Sequence, residues 1–211
     1  MIRYYNLRGT SGTGKTTVAR ALINKSNAKP AWFSEGEYNN IKKLKNGRVL
    51  GLEGRWANCD IILLGKYDQT CGGCDTIPSV KIVAHMLGVL HEDYSGNPDA
   101  HCLVFFEGLM ISHMIGTVGN KLKELNLQGK IGFLDTPLDT ALVRVQDRRD
   151  SRGDTRPFNP DNTIKDYRAV EMCKQNCYRQ GFPVEVVPHL TSIDHVMQSI
   201  HSLCGEMTGE V

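Results

Sequence analysis

Gly9-Thr10-Ser11-Gly12-Thr13-Gly14-Lys15-Thr16 sets the reading of the whole chain. It follows the short run Tyr4-Tyr5-Asn6-Leu7 and opens into Val18-Ala19-Arg20-Ala21-Leu22-Ile23, so it reads strand, glycine-rich loop, helix. That is a phosphate-binding loop. Its glycines let consecutive backbone N–H groups turn inward without a Cβ clash, and the helix that follows offers unsatisfied N–H groups and its positive dipole end to an anion. The cradle is assigned to Gly9, Thr10, Ser11, Gly12, Thr13, Gly14, Lys15, Thr16 and Thr17. Lys15 would reach the β- and γ-phosphates, and the Thr16 hydroxyl would face Mg²⁺.

Composition bounds the remaining possibilities. At 211 residues the chain supports one substantial core, so a single α/β domain over 1–211 with insertions is expected. With 25 Lys plus Arg against 23 Asp plus Glu, the net charge of +2 does not announce a nucleic-acid binder. Any DNA contact must come from a local patch. No apolar run approaches a membrane span, and the chain enters its first strand directly, which implies a cytoplasmic protein without membrane partners. Of seven cysteines, Cys102 sits in an apolar strand and Cys173, Cys177 and Cys204 fall at core-like helical positions, where reduced cysteine acts as a small hydrophobe. Cys71 and Cys74 form a CxxC. A structural zinc site needs a second ligand pair at similar spacing, which is not evident, although Cys173 with Cys177 or a histidine could complete one.

In chain order, 2–7 is the first strand and 15–26 the first helix. Residues 30–60 then mix Trp32, Phe33, Tyr38 and Trp56 with Lys42, Lys43, Lys45, Arg48 and Arg55, and hold a short strand at 48–52. Aromatic faces can stack a base and cations can meet phosphates, but tryptophan is more often core and lysine more often a solvated face. The continuous apolar run Asp60-Ile61-Ile62-Leu63-Leu64-Gly65 reads as a strand buried on both faces. Next, Val80, Val83, Ala84, Leu87 and Leu90 mark a helix whose start signal is Thr76 with Pro78. Asp75 would then stand beside a helix N-terminus, beyond the carboxyl end of a strand, where α/β sheets gather their chemistry. It suits a general base that takes the proton of an attacking hydroxyl, with Asp68 the principal rival. As a plain helix cap and a plain turn residue, the two would carry no chemistry.

The strand at 102–106 ends in Glu107-Gly108. An acidic residue at the tip of a buried strand needs a cation or donors, so Glu107 is the candidate for the metal shell. A helix from 112 to about 126 and a fourth strand at 130–134 follow. Past Asp135-Thr136-Pro137, Leu138, Ala141, Leu142 and Val145 mark a helix on which Arg144, Arg148 and Arg152 recur every four residues, with Arg149 and Arg156 nearby. Asp147 and Asp150 could make this an ion-pair ladder. Alternatively it is a lid that brings Arg148 and Arg152 to a transferring phosphoryl group. A loop with Gly153, Pro157 and Pro160 precedes a helix carrying Tyr167, Val170, Cys173 and Cys177, then a fifth strand at 183–187 and a last helix with Ile193, Val196, Met197, Ile200 and Leu203 inward. The expected fold is a P-loop NTPase of the nucleoside or nucleotide kinase type. It would be a doubly wound five-stranded parallel sheet with an arginine-rich lid, and insertions at about 30–60 and 148–163 over the active face.

LRGTSGTGKTT, GKYDQTCGGCDTI, FFEGL, FLDTPLD, RRDSRGD and FNPDNT together resemble bacteriophage P-loop kinases that phosphorylate 5-hydroxymethyluracil within DNA, a step of thymine hypermodification. The P-loop portion is shared by many kinases, whereas CGGCDT and FNPDNT are distinctive. The resemblance implies transfer of the γ-phosphoryl group of ATP, with Mg²⁺, to the 5-hydroxymethyl oxygen of a pyrimidine in DNA. The base must be flipped out or otherwise exposed to enter a closed site. Two other readings stay open: a kinase of a free nucleotide or nucleoside, and a P-loop ATPase or binding module without an acceptor.

Overall fold

β1 (Ile2–Arg8) is buried on both faces, Ile2 and Tyr4 entering one apolar cluster and Tyr5 and Leu7 the other. The computed structural model describes residues 1–31, 51–68 and 72–209, so Trp32, Phe33, Tyr38, Lys42, Lys43, Lys45, Arg48 and Cys71 lie outside the described residues. α1 (Lys15–Ser26) follows the phosphate loop and closes at Asn27, whose φ of 52° and backbone N–H to Asn24 and Ile23 carbonyls end the helix. β2 (Lys29–Ala31), β3 (Gly51–Trp56) and β4 (Cys59–Leu64) come next, then α2 (Val80–Ser95) and β5 (Cys102–Glu107). Two short helices, α3 (Leu109–Ser112) and α4 (Gly116–Glu124), lead to β6 (Gln128–Asp135). α5 (Leu138–Asp150), α6 (Asp161–Arg179), β7 (Val184–Pro188) and α7 (Ser192–Thr208) complete the chain.

The strands lie in the order β2-β3-β4-β5-β1-β6-β7. β4, β5, β1, β6 and β7 are parallel and are the five strands expected. Among the described residues the sheet has seven strands, because β2 and β3 add an antiparallel edge. That edge has no apolar run of its own and forms by pairing with β4. Trp56 pairs with Cys59 and Asp60 lies beside Cys102, so Trp56 and Arg55 sit at the amino ends of the parallel strands, opposite the phosphate loop. There Lys25 lies 5.6 Å over the Trp56 ring and His201 packs 5.9 Å from it, which excludes these two residues from the site at the other end.

Three local expectations shift. The helix after β4 begins a turn later than Thr76: its cap is Ser79, whose hydroxyl accepts from Ile82 N. Thr76 is used elsewhere, its hydroxyl accepting from Lys66 N and donating to the Gly73 carbonyl, each at 2.8 Å, to close the loop between them. The helix expected from 112 is split at His113–Ile115, where the Met114 carbonyl is taken by Arg8 at 2.9 Å. α5 stops at Asp150 because the chain turns through Gly153 at φ 67°, which sets Arg152 beyond the helix and off the line of Arg144 and Arg148.

One face of the sheet is covered by α2, α4 and α6 over Val104, Phe106 and Phe133, and the other by α1 and α7 over Leu7, Leu63 and Phe105. Cys59, Cys74, Cys102, Cys173, Cys177 and Cys204 are all buried, and none forms a disulfide among the described residues. Among the described residues no helix is long and apolar enough to cross a membrane. In the second layer Phe105 is wholly buried and stacks on Tyr5 with ring centroids 6.0 Å apart. Phe105→Ala should therefore lower the unfolding free energy by about 3–5 kcal/mol. A denaturant titration checks this, and a midpoint that barely moves would contradict the packing of this face.

Candidate functional site

The loop after β1 is shaped by two left-handed glycines, Gly12 at φ 80° and Gly14 at φ 100°. Gly14 is the residue from which α1 starts, so the N-terminal N–H groups of that helix face the loop's hollow. Gly12 runs against α5: a Cβ there would meet the Ala141 carbonyl oxygen at 2.3 Å. Side chains fasten the loop from several sides. Thr13 donates to the Thr10 carbonyl at 2.8 Å, Thr136 donates to the Thr13 carbonyl at 3.0 Å, and Gly9 N donates to the Ser112 hydroxyl at 3.2 Å. The Lys15 ammonium is buried and donates to the Gly9 and Thr10 carbonyls at 2.8 and 2.9 Å, which places its charge over the loop.

Facing the loop are the carboxyl ends of β4 and β5. Glu107 is 1% exposed, and its Oε1 accepts from the Thr16 hydroxyl at 3.2 Å. Burial pushes its carboxyl up to about 7, with Lys15 opposing the rise and Asp75 adding to it. Gly73 lets the chain pass directly beneath: a Cβ there would lie 2.7 Å from Glu107 Oε1. Asp75 belongs to a short turn, Cys74–Thr76, and caps α3, accepting from Leu109 N at 2.8 Å and Met110 N at 2.9 Å. The expectation that it stands by a helix N-terminus is met, but the helix is α3 and not α2. Cys74 is wholly buried and burial pushes its thiol well up, as for a packed thiol.

These parts enclose a cavity of ≈ 870 Å³ lined by the loop from Ser11 to Thr17, by Asp75 and Glu107, and by Arg144 and Arg148 of α5. Its size suits a nucleotide with part of a second substrate. Arg144 Nη1 also reaches the Gly12 carbonyl at 3.5 Å. Asp68 is exposed and is not among the lining residues; neither is Arg152. Arg149 instead pairs with Asp154 at 3.2 Å and lies 6.0 Å over Phe158, and Arg156 pairs with the same carboxylate at 2.8 Å. The arginine cluster thus divides: Arg144 and Arg148 line the cavity, while Arg149 and Arg156 pair with Asp154 and not with the expected Asp147 or Asp150.

Sequence reading missed three contributors. Arg20, one turn after Thr16, lines the cavity on the carboxylate side. Ser112 accepts from Gly9 N and donates to the Gly108 carbonyl at 2.6 Å, joining the ends of β1 and β5. The turn from His189 to Asp194 forms the wall next to the loop and carries Leu190, 86% exposed, and Ile193. Its position past the carboxyl end of the last parallel strand was the available signal.

The 5-hmdU DNA kinase family profile matches residues 3–200. A 5-hmdU DNA kinase of Pseudomonas phage PaMx11 is 30% identical over 187 residues, covering 86% of this chain and 88% of that protein. Another, of Pseudomonas phage M6, is 23% identical over 210 residues, covering 96% and 100%. A solved deoxyadenosine kinase from M. mycoides aligns over 94% of this chain and 99% of its own at 15% identity, with a TM-score of 0.44, a likeness too distant to carry an argument. A glycine-shaped phosphate loop facing paired carboxylates, in a chain matched almost from end to end, makes this protein a member of the 5-hmdU DNA kinase family.

Proposed function

We propose that this protein transfers the γ-phosphoryl group of ATP to the 5-hydroxymethyl oxygen of 5-hydroxymethyluracil in DNA. The observation that carries the reading is one cavity lined by a phosphate loop, by arginines and by two carboxylates. The hydroxymethyl oxygen attacks the γ-phosphorus and the bond to the β–γ bridging oxygen breaks, its electron pair leaving on ADP. The hydroxyl proton passes to a carboxylate. Asp75 is the proposed acceptor of that proton, supported by its place in the cavity lining and by two backbone N–H groups that fix its orientation. Asp68 remains the rival.

Lys15, Arg144 and Arg148 line the cavity and are proposed to offset the charge of the transferring group, with Arg152 able to contribute only if the turn after α5 moves. The Thr16 hydroxyl and the buried Glu107 carboxylate, 3.2 Å apart, fit a hard divalent cation such as Mg²⁺. Among the described residues no three His, Cys, Asp or Glu side chains converge, so such an ion would rest on these two groups, phosphate oxygens and water. When bound it would neutralise charge on the β- and γ-phosphates. Closure of the site around a base requires that base to leave its stack, which selects an exposed or flipped nucleotide. The exposed Leu190 and Ile193, on the wall beside the loop, offer an apolar surface to the flat base of ATP.

Four outcomes are expected. Lys15→Ala should lower kcat/KM by at least about 10²–10³-fold with an unchanged circular dichroism spectrum, and retained turnover would defeat the site assignment. Asp75→Asn should lose about 10²–10⁴-fold in kcat while still binding ATP; a normal Asp75→Asn with an inactive Asp68→Asn would move the proton acceptor to Asp68. Labelled ATP offered with hydroxymethyluracil-containing DNA, with the free nucleotide, and with water alone should yield product with DNA only. Transfer to the nucleotide alone, or hydrolysis alone, would establish one of the other two readings. Affinity for that DNA should also fall steeply as salt rises.

A further inference from the structure

Arg8 is the last residue of β1 and stands immediately before Gly9. Alternation along the strand turns it, with Tyr4 and Asn6, to the face that α6 covers, and its side chain is wholly buried. Its Nε donates to Asn6 Oδ1 at 2.6 Å, and its Nη1 donates to the Met114 carbonyl at 2.9 Å and to Cys173 Sγ at 3.1 Å. The guanidinium lies 5.9 Å from the Phe133 ring centre, and Nη2 is buried without a hydrogen-bond partner among the described residues. None of these partners is a carboxylate. A guanidinium cannot shed its proton, and a buried cation without an anion is strongly unfavourable. Asn6, a carbonyl and a ring cannot become anionic. Cys173 can.

We propose that Cys173 is a thiolate in the folded protein, the counter-ion of Arg8, and through Arg8 a positioning residue for the phosphate loop. Cys173 is 2% exposed on α6, one turn before Cys177, which is buried with it. A hydrogen bond from Cys177 pulls the Cys173 thiol down to about 7 against the effect of burial, and the Arg8 guanidinium adds to the pull. Cys177 is pushed up as the donor of that bond, so Cys173 is the one of the two that ionises. The other titratable groups at this point are Tyr4 of β1, pushed up to about 12 by burial and therefore neutral, and His113 of the α3–α4 corner, which pairs with Asp166 of α6 at 3.5 Å.

The pair reaches the loop through Met114. Arg8 fixes that carbonyl, and with it the corner that follows Ser112, whose hydroxyl holds Gly9 N and the Gly108 carbonyl. Without the thiolate, the guanidinium has reason to seek another anion and releases the corner. The folded-state thiol ionises below the unfolded one. The pair's stabilisation is therefore fully present above the unfolded value of about 8.5 and is lost as the pH falls through about 7.

The ionisation is read directly by ¹³Cβ NMR of the reduced full chain labelled at cysteine, its Cys173 signal identified by its loss in Cys173→Ser. That signal should titrate near 7, and in Arg8→Gln its midpoint should rise by at least about one unit. A Cys173 signal still protonated at about pH 9, or a midpoint unmoved by Arg8→Gln, overturns the ion pair. The positioning role is read as the Kd for ATP, and this arm alone rests on the proposed function. Cys173→Ala should weaken binding about tenfold, and Cys173→Asp, which restores an anion, should recover most of it. An aspartate variant no better than the alanine one overturns the positioning role. If wild-type protein binds no ATP, the nucleotide reading fails while the ionisation result stands on its own.

Discussion

The structure depends on a backbone that comes close enough to its neighbours to exclude a side chain. At Gly12 the phosphate loop runs so near the Ala141 carbonyl that no Cβ fits, and its φ of 80° suits glycine as well. This contact ties the loop to α5, and so to Arg144 and Arg148. Gly14 acts at the other end through its φ of 100° and not through close approach, turning the chain so that α1 begins with its N–H groups toward the hollow. β1, α1 and α5 are therefore placed by one loop, and the cavity is the space they leave at the carboxyl end of the sheet.

That end of the sheet gathers buried charge in an ordered way. Lys15 is balanced by loop carbonyls and by its proximity to Glu107, and Glu107 by Lys15 and the Thr16 hydroxyl. Asp75 is held by backbone N–H groups of α3. Arg144 and Arg148 of α5 line the same cavity as these carboxylates. A phosphoryl group in this cavity would meet cations, N–H dipoles and carboxylates arranged before it arrives, which is the kind of preorganisation phosphoryl transfer draws upon.

Much of this was legible because it is local. The five parallel strands announce themselves as continuous apolar runs, since a strand covered on both faces has no polar side to show. β2 gave no such signal, and the short strand expected at 48–52 reached only Gly51-Leu52 of β3; Lys29-Pro30-Ala31 and Gly51-Leu52-Glu53-Gly54 pair at the edge that β4 presents. Thr76 looked like a helix cap until the closing of the loop at Lys66 and Gly73 claimed its hydroxyl. The arginine spacing suggested one continuous line, and a glycine turn at position 153 broke it before Arg152.

The amino-acid sequence by itself determined the phosphate loop, the parallel order of elements around it, and the acidic tip of β5, because glycine spacing, apolar runs and a charge at the end of a buried strand act over a few residues. The tertiary structure alone decided which of these groups meet. It brought Asp75 and Arg148 into the cavity, left Asp68 and Arg152 outside its wall, moved Trp56 to the far end of the sheet, and set Arg8 against Cys173 from 165 residues away. Such meetings follow from how helices settle onto the two faces of the sheet, where burial of apolar area outweighs any local preference and the polar groups must find partners in the places that remain.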